Sequence, residues 1–116
     1  MIQDNQTPCV FYVTDHGNGA VRMVVNSQTP QVTTLIKSYN YSKLYTGMTQ
    51  DKTGQYLYIL YRYGLKRFDL SRKTSIDIFS SDTMFTNSAA VYDNGIEYLS
   101  SIILHEGLII ISDTNR

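Results

Sequence analysis

The sequence predicts an all-β fold of many short antiparallel strands, and two observations carry this prediction. β-branched and aromatic residues, including ten tyrosines, recur in short runs that Gly, Asn, Asp and Ser residues separate. That pattern is typical of strands joined by tight turns. No stretch keeps the hydrophobic period of about 3.6 residues that an amphipathic helix needs. With 116 residues, the chain is large enough for one domain at most.

Turn residues bound nine expected strands. These strands are Val10–Thr14, Val21–Val25, Val32–Ile36, Tyr45–Gln50, Tyr56–Tyr61, Leu65–Leu70, Ser75–Phe79, Ile96–Leu104 and Leu108–Ser112. His16–Gly19 and Asp51–Gly54 are expected to turn the chain, because Gly and Asn tolerate the backbone angles that tight turns require.

A repeat organises these strands. Apolar strands ending in polar turns recur at Phe11, Leu57 and Leu108, which are 46 and 51 residues apart. That spacing is typical of β-propeller blades, each a four-stranded antiparallel sheet. Residues 45–80 fit one complete blade connected as a simple meander. Residues 9–37 lack an inner strand, and residues 95–116 offer only an inner and a second strand.

The predicted fold is therefore a partial β-propeller, in which one complete four-stranded antiparallel blade is flanked by two incomplete blades. Apolar residues on both sides of Tyr56–Tyr61 indicate that neighbouring sheets cover both faces of the middle blade. Because the chain is expected to begin and end inside blades, its copies would leave a gap in a ring. We expect a fragment or subunit of a larger assembly, completed by a protein partner or by the remainder of the propeller.

The segment Phe11–Val24 resembles the NHL repeat of six-bladed β-propellers. Asp15, Asn18 and Arg22 fall at the places that the repeat gives to Asp, Asn and a basic residue, although Ala20 replaces another basic residue. The last six residues, with Asp113 and Asn115, resemble the same element cut short. The middle blade departs from the pattern, because neither Asp nor Asn follows its second strand. YWTD propellers of lipoprotein receptors share a similar second strand and are the near alternative.

The repeat residues are interpreted as structural turn residues: Asp15, Asn18, Arg22, Asp113 and Asn115. An Asp at a strand end accepts backbone N–H groups of the next turn. An Asn can adopt the left-handed conformation, and an Arg can pair with an acid. The functional alternative is that these turns line one propeller face and contact a partner or a metal.

Resemblance to NHL propellers implies protein partners most often, and carbohydrate or RNA in some cases. Ten basic residues balance ten acidic residues, which disfavours nucleic acid. We therefore expect a protein-interaction or scaffold module. One alternative is a fragment of a propeller hydrolase or lyase whose catalytic residues lie mostly outside this segment. Another is a subunit whose exposed blade edges bind a further chain by strand addition.

No catalytic residue, metal ligand set or cofactor is expected. His16 and His105 fall in turns at opposite ends of their blades, and the motifs of nucleotide-binding and hydrolytic sites are missing from the sequence. Tyr39, Tyr41 and Tyr63 are the candidates for partner binding, because tyrosine offers a large contact area at small entropic cost. The other tyrosines are expected to pack between sheets.

Two Asn-x-Ser/Thr triplets, at Asn5 and Asn40, are candidate glycosylation sites in polar stretches. They favour an extracellular or secretory location. No apolar run approaches the length of about 18 residues that a membrane-spanning helix needs, so no membrane span is expected. Cys9 is the single cysteine, and it is expected to start a strand.

Overall fold

A computed structural model describes residues 1–37, 45–61, 64–80, 99–105 and 107–113. These residues form an all-β fold of two four-stranded antiparallel sheets and a hairpin. Ten strands follow one another along the chain: β1 (Ile2–Gln3), β2 (Val10–Asp15), β3 (Ala20–Val25), β4 (Gln31–Lys37), β5 (Tyr45–Gln50), β6 (Tyr56–Tyr61), β7 (Gly64–Asp69), β8 (Thr74–Ser80), β9 (Leu99–His105) and β10 (Leu108–Asp113). A 3₁₀ turn at His16–Asn18 joins β2 to β3.

The first sheet has the strand order β1-β2-β3-β4. The three strands expected over residues 9–37 are present. The expectation that this first set is incomplete was wrong, because Ile2 and Gln3 pair with Tyr12 and Phe11 and add a fourth strand. A strand of two residues shows no alternation of apolar and polar side chains, so the sequence pattern cannot reveal it.

The second sheet has the order β5-β6-β7-β8, and each strand pairs antiparallel with the next. The predicted meander over residues 45–80 is confirmed. The predicted bounds of β5 and β6 agree with the structure, because turn residues flank both strands closely. Tyr45 and Tyr61 lie edge to face in this sheet, with ring centroids 6.5 Å apart and ring planes at 90°.

The hairpin consists of β9 and β10, which pair from Leu108 opposite His105 to Ser112 opposite Ser101. Gly107 turns the chain with a φ of 80°, a conformation that glycine adopts without steric cost. The two strands that the sequence predicts here are present, although β9 begins at Leu99 within the described residues.

Both sides of β6, in the middle of the second sheet, are covered, as the sequence predicts. Leu57, Ile59 and Tyr61 of β6 join Tyr12 and Val21 of the first sheet in one buried cluster. On the other side of β6, Leu60 forms a second buried cluster with Leu65 of β7 and Ile102 of the hairpin. Tyr58 and Ile111 pack against this cluster. Because neighbouring residues in a strand point to opposite faces, one strand contributes to two cores.

The sheets are therefore stacked in the sequence first sheet, second sheet, hairpin. A closed ring of sheets is not formed by the described residues. No helix with the length and hydrophobicity of a membrane span occurs in the part of the chain that the structure describes.

Candidate functional site

An exposed apolar surface covers the outer side of the hairpin. We define this hairpin face as Ile103, Leu108 and Ile110, whose residues are 56%, 65% and 48% exposed. Ile110 lies directly opposite Ile103 in the ladder, and Leu108 is two residues before Ile110 on the same strand face. The three aliphatic side chains therefore form one surface on the side that faces away from the second sheet.

The inner side of the same hairpin is attached to the second sheet. Ile102 is buried against Leu60 and Leu65, and Ile111 packs against this group. The hairpin thus has one apolar side that contacts the protein and another that contacts solvent.

Beyond the hairpin, part of the second sheet stays uncovered on the same side. Arg67 and Leu65 point to this side, and Ile76 of β8 lies directly opposite Arg67. Ile76 is 51% exposed. The Arg67 guanidinium carbon lies 4.5 Å from the centroid of the Tyr56 ring, which is a cation–π contact. We call Arg67 and Ile76 the β7–β8 patch.

At the opposite end of the stack, the outer side of the first sheet is also partly apolar. Phe11, Val24 and Val32 lie in one row across β2, β3 and β4. Val32 is 62% exposed, whereas Phe11 and Val24 are half-buried. Both ends of the stack therefore present aliphatic or aromatic side chains.

The structure brings three of the predicted turn residues together on this outer side. Asn18 Nδ2 and Arg22 Nε donate to Asp15 Oδ2 over 2.9 and 3.0 Å, and Arg22 also donates to Thr34 Oγ1 over 2.7 Å. The hydrogen bond from Asn18 and that from Arg22 lower the pKa of the Asp15 carboxyl. The left-handed residue of this turn is Gly19, with a φ of 60°, and not Asn18.

A polar cluster that the sequence analysis missed joins the first sheet to the second. We name residues Asp4–Thr7 the N-terminal clasp. Asp4 Oδ1 accepts hydrogen bonds from the Tyr12 hydroxyl and from Gln50 Nε2, over 2.8 and 2.7 Å. Its Oδ2 accepts the backbone N–H groups of Gln6 and Thr7, over 3.0 and 2.7 Å. The carboxylate is thus shared by the clasp, β2 and β5.

The charge of Asp4 survives burial because of these four donors. Only 8% of the residue is exposed. Burial raises the pKa of the carboxyl, but the hydrogen bonds from Gln50, Tyr12 and the two backbone N–H groups outweigh it, and the pKa lies below its usual value. For Tyr12, burial and the hydrogen bond to Asp4 both raise the pKa of the hydroxyl. Both groups therefore keep the protonation states that the hydrogen bond requires.

The candidate glycosylation residue Asn5 belongs to the clasp. Its side-chain amide donates to the Asp51 carbonyl over 2.7 Å, and its backbone N–H donates to Gln50 Oε1 over 2.8 Å. Gln6 Nε2 reaches the Lys52 carbonyl over 3.3 Å. The clasp is therefore attached by hydrogen bonds to the end of β5 and to the turn that links β5 to β6. Asn40, the other candidate, lies outside the described residues.

The remaining predicted residues are not gathered into this site. Tyr39, Tyr41, Tyr63 and Asn115 lie outside the described residues, whereas Asp113 ends β10 with its side chain also outside them. His16 Nδ1 is 3.1 Å from the Tyr45 carbonyl oxygen, and Cys9 is an exposed free thiol. In the described ranges no three His, Cys, Asp or Glu residues group closely enough to hold a metal ion.

Sequence reasoning did not select the hairpin face. Leu108–Ile111 is a continuous aliphatic run, so it contains no alternation that would distinguish a covered side from an open one. The exposed side of β8 left a weak signal, the alternation of Ile76 and Ile78 with polar residues. Comparisons with protein-family models, with curated proteins and with solved structures give no match for this chain.

Proposed function

We propose that the chain is a protein-interaction module, built from stacked β-propeller-like blades and belonging to a larger assembly. The single observation that carries this proposal is the hairpin face. Three aliphatic residues about half exposed or more lie side by side on a sheet whose other side is packed. Contiguous exposed apolar surface is typical of interaction sites.

The architecture supports the proposal that this surface is the end face of a stack of propeller-like blades. Two four-stranded antiparallel meanders stack face to face, and a two-stranded hairpin continues the stack. The resemblance of Phe11–Val24 to an NHL repeat agrees with that arrangement. In such a stack, each sheet face is covered by its neighbour, so an end face is the natural place for a partner or for the remaining blades.

The contact already present in the molecule indicates what a partner would supply. Leu60 and Leu65 of the second sheet bury Ile102 from the inner side of the hairpin. A partner with a similar aliphatic surface would cover the outer side in the same way. Complete burial of a fully exposed aliphatic side chain contributes about 1.5–3 kcal/mol, so covering the exposed half of each residue of the hairpin face adds about half of that value per residue.

Native mass and apolar-dye binding test this proposal. Without its partner, the wild-type protein is expected to self-associate, with a light-scattering mass above the 13.2 kDa of one chain. The double variant Ile103→Asp/Ile110→Asp is expected to disperse and to lose dye binding, because two charges then lie on the hairpin face. Val32→Asp tests the other end of the stack, since Val32 is similarly exposed but lies on the first sheet; an equal effect there would mean that self-association joins one end of the stack to the other. A wild-type monomer that binds no dye would contradict the proposal.

A further inference from the structure

We infer that Asn18 is a deamidation site that the turn between β2 and β3 protects, and that its conversion to aspartate or isoaspartate stops this turn from closing again. The modification needs no enzyme, and water is its only co-reactant. Asn18 is exposed, and Gly19 follows it directly in the sequence. The site lies on the first sheet and does not involve the hairpin face.

The chemistry is an attack by the chain on its own side chain. The backbone nitrogen of Gly19 forms a bond to Cγ of Asn18, the bond from Cγ to Nδ2 breaks, and the proton of the Gly19 N–H leaves with Nδ2 as ammonia. Water then opens the cyclic imide at either carbonyl, which yields aspartate or isoaspartate. Asparagine is a thermally labile residue, and a following glycine has no side chain that obstructs the attack.

The closed turn holds both reacting groups. Asn18 Nδ2 donates to Asp15 Oδ2 over 2.9 Å, which fixes the side-chain amide at the end of β2. The backbone N–H of Gly19 donates to the His16 carbonyl over 3.1 Å, and Gly19 is buried. The nitrogen must lose its proton in the attack, and a buried N–H that is hydrogen-bonded exchanges its proton only when the structure opens locally. Deamidation therefore requires this turn to open.

Asp15 is the residue that keeps the turn closed. Its Oδ2 accepts hydrogen bonds from Asn18 and from Arg22 Nε, and Arg22 also donates to Thr34 of β4. Lys37 Nζ, from the same strand, donates to the backbone carbonyl of Asn18 over 2.9 Å. Hydrogen bonds to a charged group are stronger than those between neutral groups. Loss of the Asp15 carboxylate is therefore expected to increase the fraction of molecules with an open turn.

The product cannot restore the closed turn. Asp15 needs a donor at position 18, and deamidation replaces the NH₂ group with a carboxylate oxygen, which only accepts hydrogen bonds. Two carboxylates would then repel each other at the place where Asn18 Nδ2 lies 2.9 Å from Asp15 Oδ2. Isoaspartate also adds a methylene group to the backbone of the turn. An opening that ends in deamidation is therefore irreversible.

The modified turn is also a contact with the second sheet. His16 Nδ1 is 3.1 Å from the carbonyl oxygen of Tyr45, the first residue of β5. The N-terminal clasp binds Gln50, the last residue of the same strand. Deamidation is therefore expected to release the end of β5 at Tyr45 and to leave the end that the clasp holds in place.

Mass spectrometry of aged protein tests the site. The folded wild type and the same chain in urea are incubated side by side, and the peptide that contains residue 18 is analysed for aspartate and isoaspartate. Conversion is expected to be at least about tenfold slower in the folded protein, because only the open fraction reacts. In the urea sample, Asn94 also precedes a glycine and calibrates the rate of an unfolded Asn-Gly pair.

Two variants distinguish opening of this turn from unfolding of the whole chain. Asp15→Ala is expected to raise the rate at Asn18 in the folded protein about tenfold, the factor that corresponds to the loss of a charge-assisted hydrogen bond. Asp69→Ala is the matched control, because the Asp69 carboxylate accepts the backbone N–H groups of Ser71 and Arg72 in a turn of the second sheet. This control is expected to leave the rate at Asn18 unchanged.

A third variant, Asn18→Asp, reproduces the aspartate product directly. The Gly19 amide of this variant is expected to lose its protection against hydrogen exchange. Asn26→Asp is the control, because Asn26 is exposed and its side chain has no hydrogen-bond partner within the described residues. The control is expected to keep the Gly19 amide protected.

Each other result overturns the inference at one step. Equal rates at Asn18 in the folded and the unfolded protein would mean that the turn does not protect this residue. Equal acceleration by Asp15→Ala and Asp69→Ala would mean that the reaction follows global unfolding, and an unchanged rate in Asp15→Ala would mean that Asp15 does not close the turn. A Gly19 amide that stays protected in Asn18→Asp would mean that the modified turn closes again.

Discussion

The two sides of the second sheet are built differently. On one side, residues of both sheets form a buried cluster around Leu57 and Ile59, and the N-terminal clasp closes its rim with hydrogen bonds. On the other side, the hairpin contributes Ile102 and Ile111 to a smaller cluster, and Ile76 of β8 remains half exposed. We call the contact with the first sheet the sealed contact and the contact with the hairpin the open contact. The sealed contact contains the larger buried cluster, so it is expected to contribute more to the stability of the fold.

The largest expected effect separates the two clusters. Leu57→Ala removes a fully buried side chain from the sealed contact and is expected to lower the free energy of unfolding by about 2–5 kcal/mol. Ile102→Ala is expected to cost less, because the open contact can relax around the cavity. Chemical denaturation measures both, and amide exchange shows which strands open. Equal costs with global opening in both variants would refute the distinction.

The next effect concerns the clasp. Asp4→Asn replaces one acceptor oxygen with an amide group that faces hydrogen-bond donors, and it is expected to cost about 1–3 kcal/mol. Asp77→Asn is the control, because its pair with Lys66 lies near the surface and contributes about 1 kcal/mol or less. A double-mutant cycle with Tyr12→Phe should give a coupling free energy of about 0.5–3 kcal/mol. Zero coupling would mean that the clasp does not act as a unit.

Two turns that contain a glycine in the left-handed conformation test the same comparison, one beside the clasp and one in the hairpin. Gly54 and Gly107 have φ values of 81° and 80°, so alanine at either position is strained by about 1–2 kcal/mol. A Cβ on Gly54 would also meet the Gln6 side chain, whereas a Cβ on Gly107 meets nothing within 4 Å. Gly54→Ala is therefore expected to destabilise the protein more than Gly107→Ala, in thermal or denaturant unfolding. The reverse order would show that the clasp does not rest on this turn.

The smallest effect is a dependence on pH. Because folding lowers the pKa of Asp4 below 3.8, its contribution is fully present above the pKa of the unfolded chain and is lost as the pH falls through the folded value. The stability of the wild type should therefore fall more steeply below a pH of about 4 than that of Asp4→Asn. Asp15, Asp51 and Asp69 also have lowered pKa values, but they titrate in both proteins. Parallel curves would contradict the role of Asp4.

The sequence predicted the parts of this fold that local patterns specify. Alternation and turn residues located β5 and β6, and apolar residues on both sides of β6 indicated a covered middle sheet. The two-residue strand β1 is too short to form any pattern. The clasp joins residues that are 46 positions apart, such as Asp4 and Gln50, and single-sequence patterns contain no information about such distant side-chain pairs.

The candidate site was predictable only in part, for a related reason. The cluster of Asp15, Asn18 and Arg22 lies within one turn and its flanking strands, so a local motif pointed to it. The hairpin face depends on which side of the hairpin packs against the second sheet, and that is a property of the assembled sheets. A continuous aliphatic run such as Leu108–Ile111 gives the same sequence pattern whether one or both of its sides are covered.

The perpendicular rings of Tyr45 and Tyr61 give this molecule its own spectroscopic reporter. The sequence contains no tryptophan, so no indole band obscures the near-ultraviolet circular dichroism of tyrosine. Both rings lie in the cluster between the first and second sheets, at a rigid angle to each other. The part of the tyrosine dichroism that this pair contributes should vanish when that contact melts, while an apolar dye on the hairpin face follows the opposite side of the second sheet. The two sides of one sheet can then be observed separately in a single cuvette.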